Sequence, residues 1–558
     1  MIMNRNENKH NFIVQGSILA IAGILCRIIG MLYRLPLVDI IGTKGNGYYT
    51  SAYSIYNILL IISSYSLPTA ISKIVSTRLS ENRSGDARRA LKVAFVYSTV
   101  IGALMFSLMY FGAETIAVSM RKPFISYVLM TLAPTVWIMA YLGILRGYFQ
   151  GTGNMMPTAV SQILEQVINA FVSVVMAKIL FSYGEKANIL YGEEEYSFAF
   201  GAAGGTIGTG AGALIALLFF IIIYFLYGKD ISEPAENERK RRSKESYGSL
   251  TIALISTLLP ILLSSFVYNV NTVVDDFIFS NLMNYFGMTA SVVMLWGIFG
   301  EYRIIFNIPV AISNSMSSSV IPSLTKAVIT RNRKLIIQKI NLSIKFTMLI
   351  AIPACAGMLA LAEPICSFLF PSEKSGILVN VLMIGSPAVV FYSLSTITNG
   401  ILQGLGYLRE PLINAVIGLL FHVMILIGLM FISPGIYAVM VATISMAVIV
   451  CILNMSCIRK HIRFRQDYLK TYALPLLASL LMGASSLLLY RLFVKVLPES
   501  MTAGRIWTGI LLCICIGAGL LIYFVLLFLF HPFTAEELSE MPAGRKLYSL
   551  AKKMRLME

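Results

Sequence analysis

Apolar residues run along this chain in long unbroken stretches separated by short polar breaks. Fourteen stretches stand out, at about residues 12–35, 49–72, 90–112, 125–146, 157–181, 198–227, 249–272, 291–321, 341–362, 377–402, 411–432, 435–457, 470–490 and 507–530. A membrane-spanning helix needs about 20 apolar residues, so each stretch reads as one crossing. The runs are continuous and do not alternate with period two, which argues against a β-barrel. The pattern predicts an all-α polytopic membrane protein with 14 transmembrane helices.

Composition agrees with the pattern. Of 558 residues, 57% are hydrophobic and 13% charged, with a mean hydropathy of +0.77, whereas a soluble chain carries about 25% charged residues. The formal charge of +17 would suggest nucleic acid in a soluble protein. In a polytopic one it points first to the excess of Lys and Arg in cytoplasmic loops, and no nucleic-acid partner is expected. With both termini in the cytoplasm, 31 of the 44 Lys and Arg fall on the cytoplasmic side. Eight fall outside: Lys44, Arg121, Lys122, Lys186, Lys374, Arg491, Lys495 and Arg505. A missed crossing would invert the alternation and spoil this asymmetry, so the expected location is the bacterial cytoplasmic membrane with both ends inside. Lys9 and Ala20-Ile21-Ala22 imitate a cleavable signal, but the apolar run continues past them to Leu25 and reads as an uncleaved first helix. The seven cysteines sit mostly in apolar runs, and Cys513-x-Cys515 lacks the spacing and partners of a zinc site.

The chain repeats itself. Gly147-x-x-Gln150-Gly151-x-Gly153 followed by Pro157 returns as Gly400-x-x-Gln403-Gly404-x-Gly406 followed by Pro411. Each copy lies between the fourth and fifth span of its half, so two related six-helix lobes in one orientation are expected. That arrangement matches transporters with a site between repeats. The organisation is then 1–227 for the first lobe, 228–248 for a cytoplasmic basic linker, 249–458 for the second lobe, 459–530 for two added helices, and 531–558 for a cytoplasmic tail. The linker run Arg239-Lys240-Arg241-Arg242 suits anionic headgroups and serves equally as a topology signal.

Ionisable residues inside spans are costly and usually face a protein interior or a water-filled path. Arg27 and Arg34 lie seven residues apart in the first span, on one face and about 10 Å apart along the axis. Arg27 is deep enough to line a cavity, whereas Arg34 either does so or snorkels to headgroups. Glu301 and Arg303 sit within the eighth span, where a spacing of two puts them on different faces. Lys73, near the inner end of the second span, is a snorkelling lysine or a cavity wall. Gln162, Glu165, Gln166 and Asn169 form a polar stripe in the fifth span, either glue between helices or a cavity and coupling surface. Asn269, Asn271, Asp275 and Asp276 end the seventh span. Their oxygens suit Na⁺, so Asn269, Asn271 and Asp275 are a candidate cation site, and the alternative for the aspartates is an outer surface. Gly204, Gly208 and Gly212 lack the lysine and hydroxyl ending of a phosphate loop and read as close helix packing.

No hydrolase or metalloprotease motif occurs, the four histidines are scattered, and no ATP-binding module is present. The expected protein is not an enzyme and needs no resident cofactor. Energy would come from a coupling cation (Na⁺ or H⁺), the membrane potential or the cargo's own gradient.

The segment Cys26-Arg27-Ile28-Ile29-Gly30-Met31-Leu32-Tyr33-Arg34 resembles the arginine-bearing first helix of MurJ-type lipid II flippases, and Glu301-Tyr302-Arg303 through Ile321-Pro322-Ser323-Leu324-Thr325-Lys326 resembles their eighth helix. Arg146-Gly147-Tyr148-Phe149-Gln150-Gly151 with Pro157–Gln162 and Glu165-Gln166 is similar to the SpoVB/YtgP polysaccharide-biosynthesis branch. The resemblance runs through nearly the whole chain, to Pro532-Phe533-Thr534. It implies the multidrug/oligosaccharidyl-lipid/polysaccharide exporter fold: two six-helix lobes around a central cavity, and a lipid-tail groove from the added pair of helices. It also implies that Arg27, Arg34 and Arg303, with Lys73 and Glu301 beside them, meet the diphosphate of a lipid-linked cargo.

The expected function is transport of a lipid-linked cell-wall precursor, lipid II first among the cargos, by alternating access in a monomer surrounded by membrane lipids. Other undecaprenyl-linked glycans or sporulation precursors are alternatives within that function. A cation-coupled multidrug antiporter would favour acidic cavity residues, and a non-transporting scaffold for cell-wall synthesis enzymes would not need buried arginines.

Overall fold

A computed structural model describes residues 5–81, 83–232, 245–371, 376–464, 466–498 and 504–530. The linker run Arg239-Lys240-Arg241-Arg242 and the tail 531–558 lie outside the described residues. The first half contains α1 (Arg5–Leu32), α2 (Arg34–Leu60), a π-turn over Ile61–Tyr65, α3 (Leu67–Ser80), α4 (Ser84–Phe111), α5 (Ala113–Ser119), α6 (Ile125–Gly151), α7 (Met156–Tyr191), α8 (Glu195–Ser232) and α9 (Tyr247–Tyr285). The second contains α10 (Val292–Ile329), α11 (Arg333–Ala360), α12 (Ala362–Leu369), α13 (Ile377–Gly385), α14 (Pro387–Gly404), α15 (Arg409–Ile432), α16 (Ile436–Ile462), α17 (Leu474–Val496) and α18 (Arg505–Phe530).

Among the described residues, 11 helical segments are long and apolar enough to cross a membrane, and the bent pair α13–α14 makes a twelfth. Two shorter apolar helices, Ile21–Leu32 and Tyr247–Leu259, belong to α1 and α9. Together these account for the fourteen predicted crossings of this multi-pass membrane protein.

The chain divides into two compact units, Met1–Gly297 and Ile298–Glu558, with the boundary inside α10. The repeat places the seventh span in the second lobe, whereas α9 falls within the first unit. One reason lies at the end of the linker. Glu245 receives Nε of Arg78 at 2.9 Å, its carbonyl receives Nη1 of Arg89 at 2.7 Å, and its amide donates to Asp86 at 3.1 Å. These bonds hold the start of α9 to α3 and α4.

The repeat has a packing cause. A Cβ on Gly147 would lie 2.8 Å from the Pro68 carbonyl, and one on Gly151 would lie 2.7 Å from the Val75 Cβ, so α6 touches α3 backbone to backbone. In the second unit Gly400 abuts Ser317, and a Cβ on Gly404 would lie 3.1 Å from the Leu324 Cβ, so α14 touches α10 in the same way. A serine hydroxyl crosses each contact: Ser64 donates to Met139 O at 2.6 Å and Ser317 to Thr396 O at 3.0 Å. Gly204, Gly208 and Gly212 of α8 meet α7 at Met176, Ser173 and Glu165, the close packing expected of them.

The added helices dock in the second unit. α17 and α18 bury Ala478, Met482, Tyr523 and Leu527 with Ala356 of α11, and the Tyr523 hydroxyl donates to Leu349 O at 2.9 Å.

Candidate substrate-binding site

The first span ends in a reversal. Gly42 sits at φ 67°, ψ 176° and breaks α2. A continuous helix would separate Arg34 from Tyr49 by about 22 Å, yet the Arg34 guanidinium lies 4.1 Å from the Tyr49 ring centroid and 5.9 Å from that of Tyr53. The chain must therefore fold back after Gly42. Tyr49 and Tyr53 stack on each other at 5.4 Å, and Tyr33 and Tyr56 are buried in the same cluster. Arg34 is half-buried, and its Nη1 is enclosed without a hydrogen-bond partner. An enclosed donor on a charged group is expensive to leave unmet, so this corner is built to receive an oxygen acceptor. Arg27 shows the opposite exposure and lies on the exposed side of α1. Arg34, which the sequence allowed to snorkel, is the more enclosed of the pair, because the returning half of α2 covers it.

The polar stripe of α7 separates into distinct jobs. Glu165 takes the Arg146 Nη2 at 2.7 Å, while Arg146 Nε donates to Ser161 at 3.1 Å, and both charged side chains are largely buried. Asn169 donates to the Tyr33 hydroxyl at 3.4 Å and accepts from Ser173 at 2.9 Å, which ties α7 to the arginine-bearing corner. Gln166 Oε1 lies beside Gly30 of α1, and Gln162 is half-buried on the same helix. Arg146, at the inner end of the fourth predicted span, is thus the counter-ion of Glu165. The signal was available: both residues lie a few residues back from one tight turn between antiparallel helices.

In the second unit Glu301 is fully buried and Arg303 half-buried, as their spacing on α10 predicts. The Arg303 guanidinium lies 5.9 Å from the Phe299 ring, and the Tyr302 hydroxyl between them donates to Gly385 O at 2.9 Å. Lys73 is exposed on α3.

The acidic end of α9 is buried, not an outer surface. Asp275 is 2% and Asp276 0% exposed. Asp276 pairs at 2.5 Å with Lys122, which is itself fully buried, donates to Ser51 at 2.8 Å and lies 5.0 Å from the Trp296 ring. Lys122 is no outer loop cation. Its partner is 154 residues away, a distance at which one sequence carries no pairing signal. Asn271 is buried with Asp275, but Asn269 is exposed and donates to Ser265 O of its own helix. Positions 269 and 271 point about 200° apart on a helix, so the three candidate cation ligands do not converge. Among the described residues, no group of three or more His, Cys, Asp or Glu could hold a metal ion.

Comparisons with known proteins fit this architecture. A family profile described as "Polysaccharide biosynthesis protein" matches residues 13–329, more than half of the chain, and one described as "MatE" matches residues 260–427. The "Uncharacterized membrane protein YabM" of Bacillus subtilis (strain 168) is 26% identical over 97% of this chain and 96% of its own length. The "Lipid II flippase MurJ" of the same organism is 25% identical over 72% of this chain and 74% of its own length. The solved structure "Lipid II flippase MurJ, inward closed conformation" superposes with a TM-score of 0.63 at 17% identity, over 92% of this chain and 98% of that one. The chain belongs to the polysaccharide biosynthesis protein family of the multidrug/oligosaccharidyl-lipid/polysaccharide exporter superfamily.

Proposed function

We propose that this protein is a flippase that carries a lipid-linked cell-wall precursor, lipid II first among its cargos, from the inner to the outer leaflet by alternating access. The observation that carries the reading is the Arg34 corner, where a guanidinium stacked on tyrosines keeps one enclosed N–H without a partner. The diphosphate of a lipid-linked sugar cannot cross hydrocarbon unaided, and arginine binds phosphate oxygens in a planar, directional way. Arg34 takes one phosphate, and Arg27, Arg303, Lys73 and Glu301 are the further cargo-facing candidates that the family resemblance implies. Reversible release is served by a few separated cations. An inside-negative potential helps expel the anionic head by about 2.3 kcal/mol per charge per 100 mV, and a Na⁺ or H⁺ gradient is the alternative drive.

A second reading keeps the mechanism and changes the cargo to another undecaprenyl-linked glycan. It is favoured by coverage, since relatives aligned over nearly the whole chain have names that state no cargo, whereas the named lipid II flippase aligns over 72% of it.

The test is rescue of a bacterium depleted of its own lipid II flippase by wild type, Arg27→Ala, Arg34→Ala and Arg303→Ala at matched membrane levels. Rescue by wild type is expected, with Arg34→Ala failing at the same membrane level because the phosphate loses its directional donor. Rescue by all three variants would remove the arginines from the mechanism and favour a scaffold. A membrane-inserted wild type that fails to rescue moves the reading to the second cargo class.

A further inference from the structure

A cleft of about 490 Å³ opens between α4 and α9, away from the Arg34 corner. Its walls are Val93, Val96, Tyr97, Val100 and Ile101 on α4 and Tyr247, Thr251 and Leu254 on α9. The α4 residues recur at helical spacing as one apolar stripe, and Val96 and Val100 are 65% and 59% exposed. Two of the wall hydroxyls are engaged: that of Thr251 donates to Tyr247 O at 2.9 Å, and that of Tyr97 to Ile62 O at 3.5 Å.

The cleft has a charged mouth at one end only. Lys92 lies there, exposed, and makes no ion pair with another described residue. Its basic neighbours differ. None of them lines the cleft: Arg78 and Arg83 pair with Glu245 and Asp86, Arg89 donates to Glu245 O and lies 5.1 Å from the Tyr247 ring, and Arg88, one turn before Lys92, is half-buried with its Nε enclosed and unpartnered. Among the described residues, Lys92 is therefore the one cation lining an apolar slot about 14 Å long, counted from Lys92 to Ile101 along α4.

We propose that this cleft seats one chain of an anionic glycerophospholipid, with the lipid phosphate on Lys92. One unpaired ammonium matches a singly charged phosphate, and the apolar walls match a single short length of hydrocarbon. The volume lies within the roughly 300–1,000 Å³ typical of small-molecule sites. A diphosphate would call for more than the one cation that lines this mouth, and a long polyprenyl tail would overrun the slot. The lipid would act as a wedge that fixes α9 against α4.

The test uses the purified full chain in phosphatidylcholine vesicles doped with photoactivatable phosphatidylglycerol or with photoactivatable phosphatidylcholine, the labelled peptides being mapped by mass spectrometry. Phosphatidylglycerol is expected to label residues 93–101 and 247–254 at least fivefold more than phosphatidylcholine does. Lys92→Gln should bring that ratio near one while Lys92→Arg keeps it. Val96→Trp, which fills the slot, should reduce labelling by both lipids, whereas Val175→Trp on the exposed side of α7 should change neither. Equal labelling of wild type by the two lipids, or an unchanged ratio in Lys92→Gln, overturns the proposal. So does competition by farnesyl diphosphate at concentrations where phosphatidylglycerol does not compete, which would assign the cleft to a prenyl diphosphate. None of these outcomes depends on which cargo the protein carries.

Discussion

Lys122 follows an arginine and precedes a proline in a segment that reads as an extramembrane loop, yet its ammonium is wholly enclosed against Asp276. Removing one member of such a pair leaves an uncompensated buried charge, which costs about 3–5 kcal/mol. Lys122→Met and Asp276→Asn should each lower the melting temperature of the detergent-solubilised protein, with Lys122→Met the more damaging because a carboxylate remains. The double variant Lys122→Met/Asp276→Leu should recover most of the loss, and fluorescence-detected size exclusion after heating would measure all three. Failure of the double variant to recover would mean that the pair does more than neutralise itself. Arg34 makes the complementary case: a charge visible in the sequence whose enclosure by Tyr49 was not, because the reversal at Gly42 brings together residues that a straight helix would hold apart.

At the scale of the helix, the repeated glycine frame is where sequence pattern and packing meet. Gly147 and Gly400 occupy matching places in the two halves, and each faces a neighbouring helix at a distance that admits no side chain. Gly147→Val should destabilise by about 1–3 kcal/mol through overpacking, and Gly400→Val should do the same in the second unit. Gly428, inside α15 with nothing near its missing Cβ, is the control. Gly428→Ala should be neutral or stabilising by up to about 1 kcal/mol. Equal losses at all three positions, read by the same thermal assay, would contradict a role for helix contact. The fourteen crossings, the frame itself and the α8 glycines were legible because burial in lipid and close helix approach each restrict residue type locally. The break at Gly42, the π-turn at Ile61–Tyr65 and the bend between α13 and α14 were not, since each depends on what the helix packs against.

For the whole molecule, the even number of crossings fixes which loops share a side. In a background lacking the seven native cysteines, Glu193→Cys between α7 and α8 should react with a membrane-impermeant maleimide in intact cells. Arg331→Cys between α10 and α11 should react only after permeabilisation, because three crossings separate them. Labelling of both from one side would require a different count. Family membership rests on the same scale of evidence, since the polysaccharide-biosynthesis profile runs from residue 13 to residue 329, through the first copy of the glycine frame and on into α10.

The sequence by itself determined the membrane class, the number of crossings and the doubled glycine frame. It also marked Arg27, Arg34, Glu301 and Arg303 as costly charges within spans. These follow from local constraints, namely the apolar length needed to cross a bilayer and the penalty on charge within it. Only the tertiary structure decided how those charges are compensated. Glu165 is held by Arg146, Asp276 by Lys122, and Arg34 lies on tyrosines with one donor unmet. Each outcome depends on side chains brought together from separated stretches of the chain, and a contact of that kind leaves no trace in the local periodicity of either stretch.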